Sequence, residues 1–181
     1  MKIDDLVVKY LNRKKYERQL GRYNASEVYS IIKGETTPEN FFEIKNVDEY
    51  GAKCISTGIA MENYLTKVFT EMEANCEFQV KKEIKINNEI VLVAKPDFVF
   101  KDFIIETKCP NKLFTDIPIW YTYQLESYYR AFYLPVYLGR ITAQPFSVRL
   151  ISYIPSKLRW SKIQRTLVEF HTKLKKVVNN K

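Results

Sequence analysis

The sequence predicts an α/β fold in which one domain is built on a central mixed β-sheet of about five strands flanked by helices. Two observations support this prediction. The hydrophobic pattern changes between helical and strand periodicity along the chain, in the order helices, three strands, helix, two strands, helix. The length of 181 residues suits one domain, and 46% hydrophobic residues with 13 tyrosines and 11 phenylalanines are typical of a folded chain.

The spacing of apolar residues predicts three helices in the first part of the chain. The first spans about residues 4–20. The second follows Asn24 or Ser26, both of which are good N-caps, and it ends at Gly34, a residue that tolerates the left-handed backbone after a helix. The third spans about residues 57–73 and carries an apolar stripe at helical spacing.

Three strands are predicted next, because the apolar spacing changes to a period of two. They span about residues 78–86, 90–100 and 103–109. Only Lys101 and Asp102 separate the second strand from the third. A two-residue gap of this kind indicates a β-hairpin.

The last third of the chain predicts a helix, two further strands and a second helix. The first of these helices spans about residues 118–133, with Thr115 or Asp116 as its N-cap and a proline in its first turn. The remaining elements are strands over 136–141 and 146–154 and an amphipathic helix from about Ser156. We divide the single domain into a helical part (1–55), a core (56–154) and this basic helix (155–181).

Charge is distributed unevenly along the chain. The net charge is +8, with +4 in residues 1–22, −6 in residues 35–106 and +7 in residues 155–181. Basic termini favour an anionic partner, nucleic acid first and an anionic membrane surface second, although solvated helix faces would give the same asymmetry. Because the sequence has no apolar run of membrane-spanning length and no signal peptide, we expect a cytoplasmic protein without a membrane partner.

The predicted hairpin brings two carboxylates together. With Lys101 and Asp102 as the turn, antiparallel pairing sets Asp97 opposite Glu106, and Lys108 points to the same face. Opposed β-carbons lie about 5 Å apart, so two ionised carboxylates repel unless a proton or cation lies between them. Mg²⁺ suits two carboxylates plus water.

A solvated ladder of cross-strand salt bridges is the alternative interpretation of these charged residues. Such ladders are common on exposed hairpins, where they need no ligand. Here both acids follow apolar or proline residues: Asp97 comes after Pro96, and Glu106 comes after the run 103–105. These neighbours favour strands that are buried on both faces, and therefore favour a site over a surface ladder.

These residues resemble a known family. Pro96-Asp97, an interval of eight residues and then Glu106-Thr107-Lys108 resemble the signature of the PD-(D/E)XK nuclease superfamily. The helical segment from Gly58 to Glu62 is similar to the first motif of that superfamily, and the segment from Gln124 to Tyr128 is similar to the QxxxY motif of its RecB-type branch. The resemblance covers about residues 55–130 and implies a restriction-endonuclease-like fold.

The resemblance implies a role for each matching residue. Asp97 and Glu106 would bind Mg²⁺ or Mn²⁺ together with Glu62 and the backbone carbonyl of Thr107, and Lys108 would position the attacking water. The implied reaction is metal-dependent hydrolysis of phosphodiester bonds.

Further residues are candidates for substrate binding. The resemblance implies that Gln124 and Tyr128 shape the site or touch substrate, and Trp120 and Tyr121 offer aromatic faces on which bases can stack. We expect DNA as the partner, single-stranded or with free ends, degraded by an exonuclease for which 5′→3′ polarity is favoured. Two alternatives are a branched-DNA endonuclease of Holliday-junction type and a non-catalytic nucleic-acid-binding module. Homo-oligomerisation is left open.

The cysteines separate this chain from one subfamily. The CRISPR-associated RecB-like nucleases hold an iron-sulfur cluster with one cysteine before the core and three near the C-terminus. This chain has only Cys54, Cys76 and Cys109, so we expect no iron-sulfur cluster. The resemblance therefore points to a compact relative without a cluster, such as a stand-alone nuclease of a virus or mobile element, which would act in the host cytoplasm if viral.

Overall fold

The structure is a computed structural model that describes residues 3–13, 17–43, 46–110 and 112–180. The helices are α1 (Ile3–Arg13), α2 (Val28–Lys33), α3 (Glu49–Glu71), α4 (Ile119–Phe132) and α5 (Lys157–Asn179), and a 3-10 turn spans Ala25–Glu27. The strands are β1 (Arg22–Asn24), β2 (Cys76–Phe78), β3 (Lys82–Lys85), β4 (Val91–Ala94), β5 (Phe98–Phe100), β6 (Ile104–Lys108), β7 (Val136–Ala143) and β8 (Phe146–Ser152). Within the described residues, no helix is both long enough and apolar enough to span a bilayer.

The strands form two sheets. The larger sheet has the order β2-β5-β6-β7-β8, in which β6 and β7 are parallel and the other neighbours are antiparallel. The smaller sheet has the order β1-β4-β3. The predicted α/β class with a mixed sheet of five strands is confirmed. The parallel pair follows from the connection, because β6 and β7 are joined by α4, and a parallel pair needs a crossover of that kind.

The division of the central strands between two sheets differs from the prediction. The predicted strand 78–86 is broken at Gln79, whose φ of 49° is left-handed and whose N–H donates to the carbonyl of Asp97 (2.9 Å). The predicted strand 90–100 is broken around Pro96, which has no N–H to donate to a ladder. The predicted continuous strands 78–86 and 90–100 were therefore wrong, and β1 was not predicted at all.

Several predicted helix boundaries also need correction. The first helix ends at Arg13 instead of reaching residue 20, and residues 14–16 of the predicted span lie outside the described residues. The third begins at Glu49 instead of residue 57, because the side chain of Asp48 accepts a hydrogen bond from the N–H of Gly51 (2.7 Å) and caps it.

Two other helix ends were predicted from local residues. At the start of α4 the N-cap is Pro118, without a side-chain cap bond, so the predicted cap at Thr115 or Asp116 was wrong. The predicted end of α2 at Gly34 is confirmed, since Gly34 has a left-handed φ of 75°. A side chain at this φ would be strained.

Two helices cover opposite faces of the larger sheet. On one face, Leu65 of α3 packs with Phe98, Ile105 and Ile141. On the other face, Leu125, Tyr128 and Phe132 of α4 are the helix residues of a second buried cluster, whose strand residues are Ala94, Ile104, Val136 and Leu138. Because successive strand residues point to opposite faces, β6 contributes to both layers, with Ile105 towards α3 and Glu106 towards α4.

A buried carboxylate ties α4 to the start of α5. Glu126 is fully buried and accepts hydrogen bonds from the Nε of Arg130 (2.8 Å), the hydroxyl of Tyr153 and the backbone N–H of Ser156 (2.8 Å). The guanidinium of Arg159 lies 3.6 Å from the same carboxylate. The charge is therefore paired and hydrogen-bonded, as a buried charge must be to persist in the native state.

Replacement of this carboxylate should destabilise the whole domain. We expect Glu126→Ala to lower the free energy of unfolding by about 3 to 5 kcal/mol, because the groups that surround Glu126 lose their shared acceptor. Urea denaturation measures the change. As a control, Glu71→Ala on exposed α3 surface should change it by less than about 1 kcal/mol. Equal effects of the two substitutions would contradict this assignment.

Candidate active site

A cavity of about 350 Å³ opens where α3 meets the hairpin β5-β6. Its polar wall consists of Glu62 from α3, Asp97 before β5, Thr107 and Lys108 of β6, and Tyr121 of α4. The other lining residues are Cys54, Ile55, Gly58, Cys109 and Ile141. The structure thus brings three residues of the predicted hairpin motif together with the predicted helical glutamate.

The register of the hairpin agrees with the sequence prediction. Phe98 pairs with Ile105 and Val99 pairs with Ile104, as expected for a turn made of Lys101 and Asp102.

Asp97 lies just before the first of these pairs, where the backbone of β6 holds its side chain. Its Oδ2 accepts hydrogen bonds from the backbone N–H (2.7 Å) and the hydroxyl (2.6 Å) of Thr107. These two bonds fix the carboxylate at the mouth of the cavity, although Asp97 itself lies outside the ladder of β5.

Glu106 does not line the cavity and is almost completely buried, with 3% of its surface exposed. Its Oε1 accepts hydrogen bonds from the ammonium of Lys108 and from the Nε2 of Gln124 (2.7 Å). Its Oε2 is also buried and has no hydrogen-bond partner among the residues that the structure describes. An unpartnered buried carboxylate oxygen is costly, so it marks a place where a proton or a cation would relieve the structure.

The protonation of this cluster follows from burial and neighbouring charge. Burial, together with the charge of Asp97, raises the pKa of Glu106 to about 7, against the attraction of Lys108. Burial would lower the pKa of Lys108, but the negative charges of Glu106 and Asp97 outweigh it and leave that pKa raised. Lys108 therefore stays an ammonium at neutral pH, while Glu106 lies near its titration midpoint.

Gln124 and Tyr128 lie on one face of α4, behind Glu106. Gln124 Nε2 contacts the hydroxyl of Tyr128 (2.6 Å), and that hydroxyl donates to the carbonyl of Lys95 (3.2 Å). Both side chains are buried, with 8% and 2% exposure. They are placed to hold Glu106 and the backbone before Asp97, and they do not line the cavity.

The two predicted aromatic residues differ in position. Tyr121 lines the cavity, and its ring centroid lies 5.6 Å from the ammonium of Lys108. Trp120 contacts Tyr121 edge to face, with ring centroids 5.9 Å apart, and is half exposed. It lies outside the residues that line the cavity.

One further residue, Gln79, contacts the site and is not marked by any sequence motif. Gln79 donates a hydrogen bond from its side chain to Glu62, and its backbone N–H donates to the carbonyl of Asp97. It therefore joins α3 to the segment before β5. No local signal indicated this, because Gln79 occupies a polar position in a pattern of period two that predicts a regular strand.

The oxygen donors of this site include two carboxylates, those of Asp97 and Glu106. Among the described residues, no group of three or more histidine, cysteine, aspartate or glutamate side chains is arranged to hold a metal ion. The unpartnered Oε2 of Glu106 and the nearby charge of Asp97 nevertheless offer oxygen ligands that repel each other. Two carboxylates completed by waters are a normal environment for Mg²⁺, so the residues fit a hard cation.

Comparison with known proteins gives matches in three-dimensional structure only. No protein-family model matches the chain, and no curated protein matches it. The crystal structure of SSO0001 is similar, with a TM-score of 0.66, 18% identity, and coverage of 96% of this chain and 87% of that chain. An alkaline exonuclease (LHK-Exo) from Laribacter hongkongensis is similar, with a TM-score of 0.63, 13% identity, and coverage of 89% and 91%.

A second structure of LHK-Exo, in complex with dAMP, matches equally well, with a TM-score of 0.63, 14% identity and the same coverage of both chains. At these identities the similarity concerns the fold. This chain therefore has the fold of a known exonuclease over nearly its whole length, with the cavity described above at the predicted motif residues.

The raised pKa of Glu106 predicts a pH-dependent gain in stability from Glu106→Gln. The folded protein binds more protons at this site than the unfolded chain between about pH 4.5 and 7, so its stability falls as the pH rises through that range. In the presence of a chelator, the free energy of unfolding of the substituted protein should equal that of the wild type near pH 5. At pH 8 it should be higher than that of the wild type by roughly 3 kcal/mol.

Urea denaturation at several pH values, with EDTA present, measures this difference. Lys108, Asp97 and Tyr128 are the titratable groups that face Glu106. In the substituted protein Lys108 loses an attraction that raises its pKa, so the comparison is repeated in a Lys108→Gln background. A stability difference that stays constant between pH 5 and pH 8 would contradict the burial of an ionisable group at this position.

Proposed function

We propose that this protein is a metal-dependent DNA nuclease that hydrolyses phosphodiester bonds, acting as an exonuclease on single-stranded DNA ends with 5′→3′ polarity favoured. The observation that carries the proposal is that Glu62, Asp97, Thr107 and Lys108 line one cavity, while Glu106, which is paired with Lys108, keeps one carboxylate oxygen without a partner among the described residues. The fold shared with an alkaline exonuclease supports it.

The residues that would hold the cation are Asp97 and Glu106, with Glu62 and the backbone carbonyl of Thr107 as further oxygen donors. When bound, Mg²⁺ or Mn²⁺ polarises a phosphoryl oxygen and lowers the pKa of a coordinated water. The protein supplies orientation. The N–H and hydroxyl of Thr107 fix one oxygen of Asp97, and Gln124 fixes one oxygen of Glu106. Preorganised ligands of this kind lose little freedom during the reaction.

Lys108 would act on the attacking water and on the phosphate. Its ammonium contacts Glu106 and lies beside the ring of Tyr121, where it lines the cavity. Since its pKa is raised, it carries a full charge at neutral pH. A fixed ammonium can orient a water molecule and offset the negative charge that develops on the phosphate during hydrolysis.

Substitution of the site residues should abolish metal-dependent digestion of DNA. We expect Asp97→Asn to remove detectable hydrolysis and Lys108→Gln to lower kcat by about 10²-fold or more, because each removes a group that acts in the transition state. The measurement is digestion of end-labelled single-stranded DNA with Mg²⁺ or Mn²⁺, and with EDTA as the metal-free condition.

The same hairpin offers matched controls. Asp102→Asn and Lys101→Gln make the same chemical changes at exposed turn positions, far along the strands from the cavity, so they should leave the rate unchanged. Full activity of Asp97→Asn would overturn the site assignment. Activity that persists in EDTA would overturn the requirement for a cation.

The choice of substrate tests the mode of cleavage. An exonuclease should release nucleotides from linear single strands and leave a circular single strand intact, because it needs an end. Label at the 5′ or the 3′ terminus reports the polarity. Cleavage of the circle, or of a four-way junction in preference to linear strands, would select the endonuclease alternative. Binding of DNA without any cleavage would select the non-catalytic alternative.

A further inference from the structure

Three cationic side chains lie in one row across the larger sheet. The register pairs Lys108 of β6 with Arg140 of β7, and Arg140 with Arg149 of β8. Paired residues on neighbouring strands project from the same face of a sheet. With strands about 4.8 Å apart, the row extends about 10 Å from the cavity lysine to the edge strand.

The three cations of this row differ in whether a carboxylate is paired with them. Lys108 is paired with Glu106. In the part of the chain that the structure describes, neither Arg140 nor Arg149 forms an ion pair with a carboxylate. Residues 136–152, which contain both strands, include no aspartate or glutamate. Like charges directly opposite each other destabilise a strand pair, so the two arginines are unfavourable unless an anion lies beside them.

The row is continuous with the wall of the cavity. Arg140 donates through Nη1 to the carbonyl of Phe114, and the ring of Phe114 contacts Tyr121, with centroids 6.1 Å apart. With respect to the residues described here, the Nε of Arg140 is buried without a partner, which leaves this guanidinium with unused donors. Arg149 is exposed on the outermost strand. Two residues from the arginine pair along β7 and β8, the hydroxyls of the next cross-strand pair on this face, Thr142 and Ser147, contact each other (2.6 Å).

We propose that Arg140 and Arg149 bind backbone phosphates of the substrate strand, so that this strand runs from the cavity across β7 to the edge of the sheet at β8. The inference rests on the proposed nuclease function and adds the path of the nucleic acid. Guanidinium groups suit this ligand, because their planar N–H donors match the oxygens of a phosphate. Phosphates are the anions that recur at regular intervals beside a scissile phosphate, as a row of cations requires.

Binding by a cleavage-deficient protein tests this path. In the Asp97→Asn background, the affinity for fluorescent single-stranded oligonucleotides is measured at several salt concentrations, with Arg149→Gln and Lys101→Gln compared. We expect Arg149→Gln to weaken binding about fivefold at low salt and to reduce the slope of log K against log salt by about 0.7, as for one lost phosphate contact. The loss should be the same for oligonucleotides of different base sequence, because a phosphate contact reads no bases.

Three further variants show whether the loss of affinity comes from the position of the charge or only from its removal. Lys101→Gln removes the same charge from the exposed hairpin turn and should leave the salt slope unchanged. Arg149→Gln should also keep or raise the melting temperature, since it removes one of two opposed like charges. Arg140→Lys should retain more of the affinity than Arg140→Gln, because the charge remains.

Three results would overturn the path: an unchanged slope in Arg149→Gln, an equal loss in Lys101→Gln, or no binding of oligonucleotides at all. Failure of the proposed path and failure of the proposed function give different results. If Arg149→Gln changes the salt slope as expected but the protein with its natural Asp97 hydrolyses no DNA, the path is supported and the nuclease function is refuted. If the protein with Asp97 hydrolyses DNA but Arg149→Gln leaves the slope unchanged, only the path is refuted.

Discussion

The burial of Glu106 is the constraint on which the rest of this site depends. A carboxylate with 3% exposure must be compensated, and Lys108 and Gln124 compensate one of its two oxygens. The other oxygen has no partner within the described ranges of the chain. A side chain selected for stability alone would be a hydrophobic residue here, because replacing buried charges by apolar groups is often neutral or stabilising. The incomplete pairing of Glu106 distinguishes it from the fully buried Glu126 and is accounted for by its proposed role as a cation ligand.

The architecture explains how such a carboxylate is held in place. β6 lies in the middle of the five-stranded sheet, with α3 on one face and α4 on the other. Alternation along the strand sends Ile105 into the α3 layer and Glu106 towards α4, where Gln124 meets it. The next residue, Thr107, binds Asp97 through its backbone and its hydroxyl. Four consecutive positions of one strand thus supply a packing residue, an acid, a clamp for the second acid and a lysine.

The sequence was informative where short-range rules apply and uninformative where long-range contacts decide. The hairpin register could be predicted because a two-residue turn at Lys101 and Asp102 allows one pairing, and the observed pairs follow it. The break at Gln79 could not be predicted, because its left-handed backbone is stabilised by the distant carbonyl of Asp97 and no glycine or asparagine marks it. The second sheet was missed for the same reason. The sequence motifs predicted the residues of the candidate site. The residues that hold them in place, such as Gln79, were identified only in the structure.

Net charge proved a poorer guide to the nucleic-acid surface than the placement of individual charges. The last segment has the largest positive charge, yet Arg159 is engaged with Tyr153 and Glu126, and Lys175 is paired with Glu89. The strands β7 and β8 contribute only two arginines, but these lie in register with Lys108 and lack carboxylate partners among the described residues. An uncompensated charge attracts an anion more strongly than one already paired, because a paired cation must first give up its partner. The fold therefore holds two sets of like charges close together, the carboxylates of Asp97 and Glu106 and the guanidinium groups of Arg140 and Arg149. Each set favours a ligand of opposite charge, a cation for the carboxylates and an anion for the arginines.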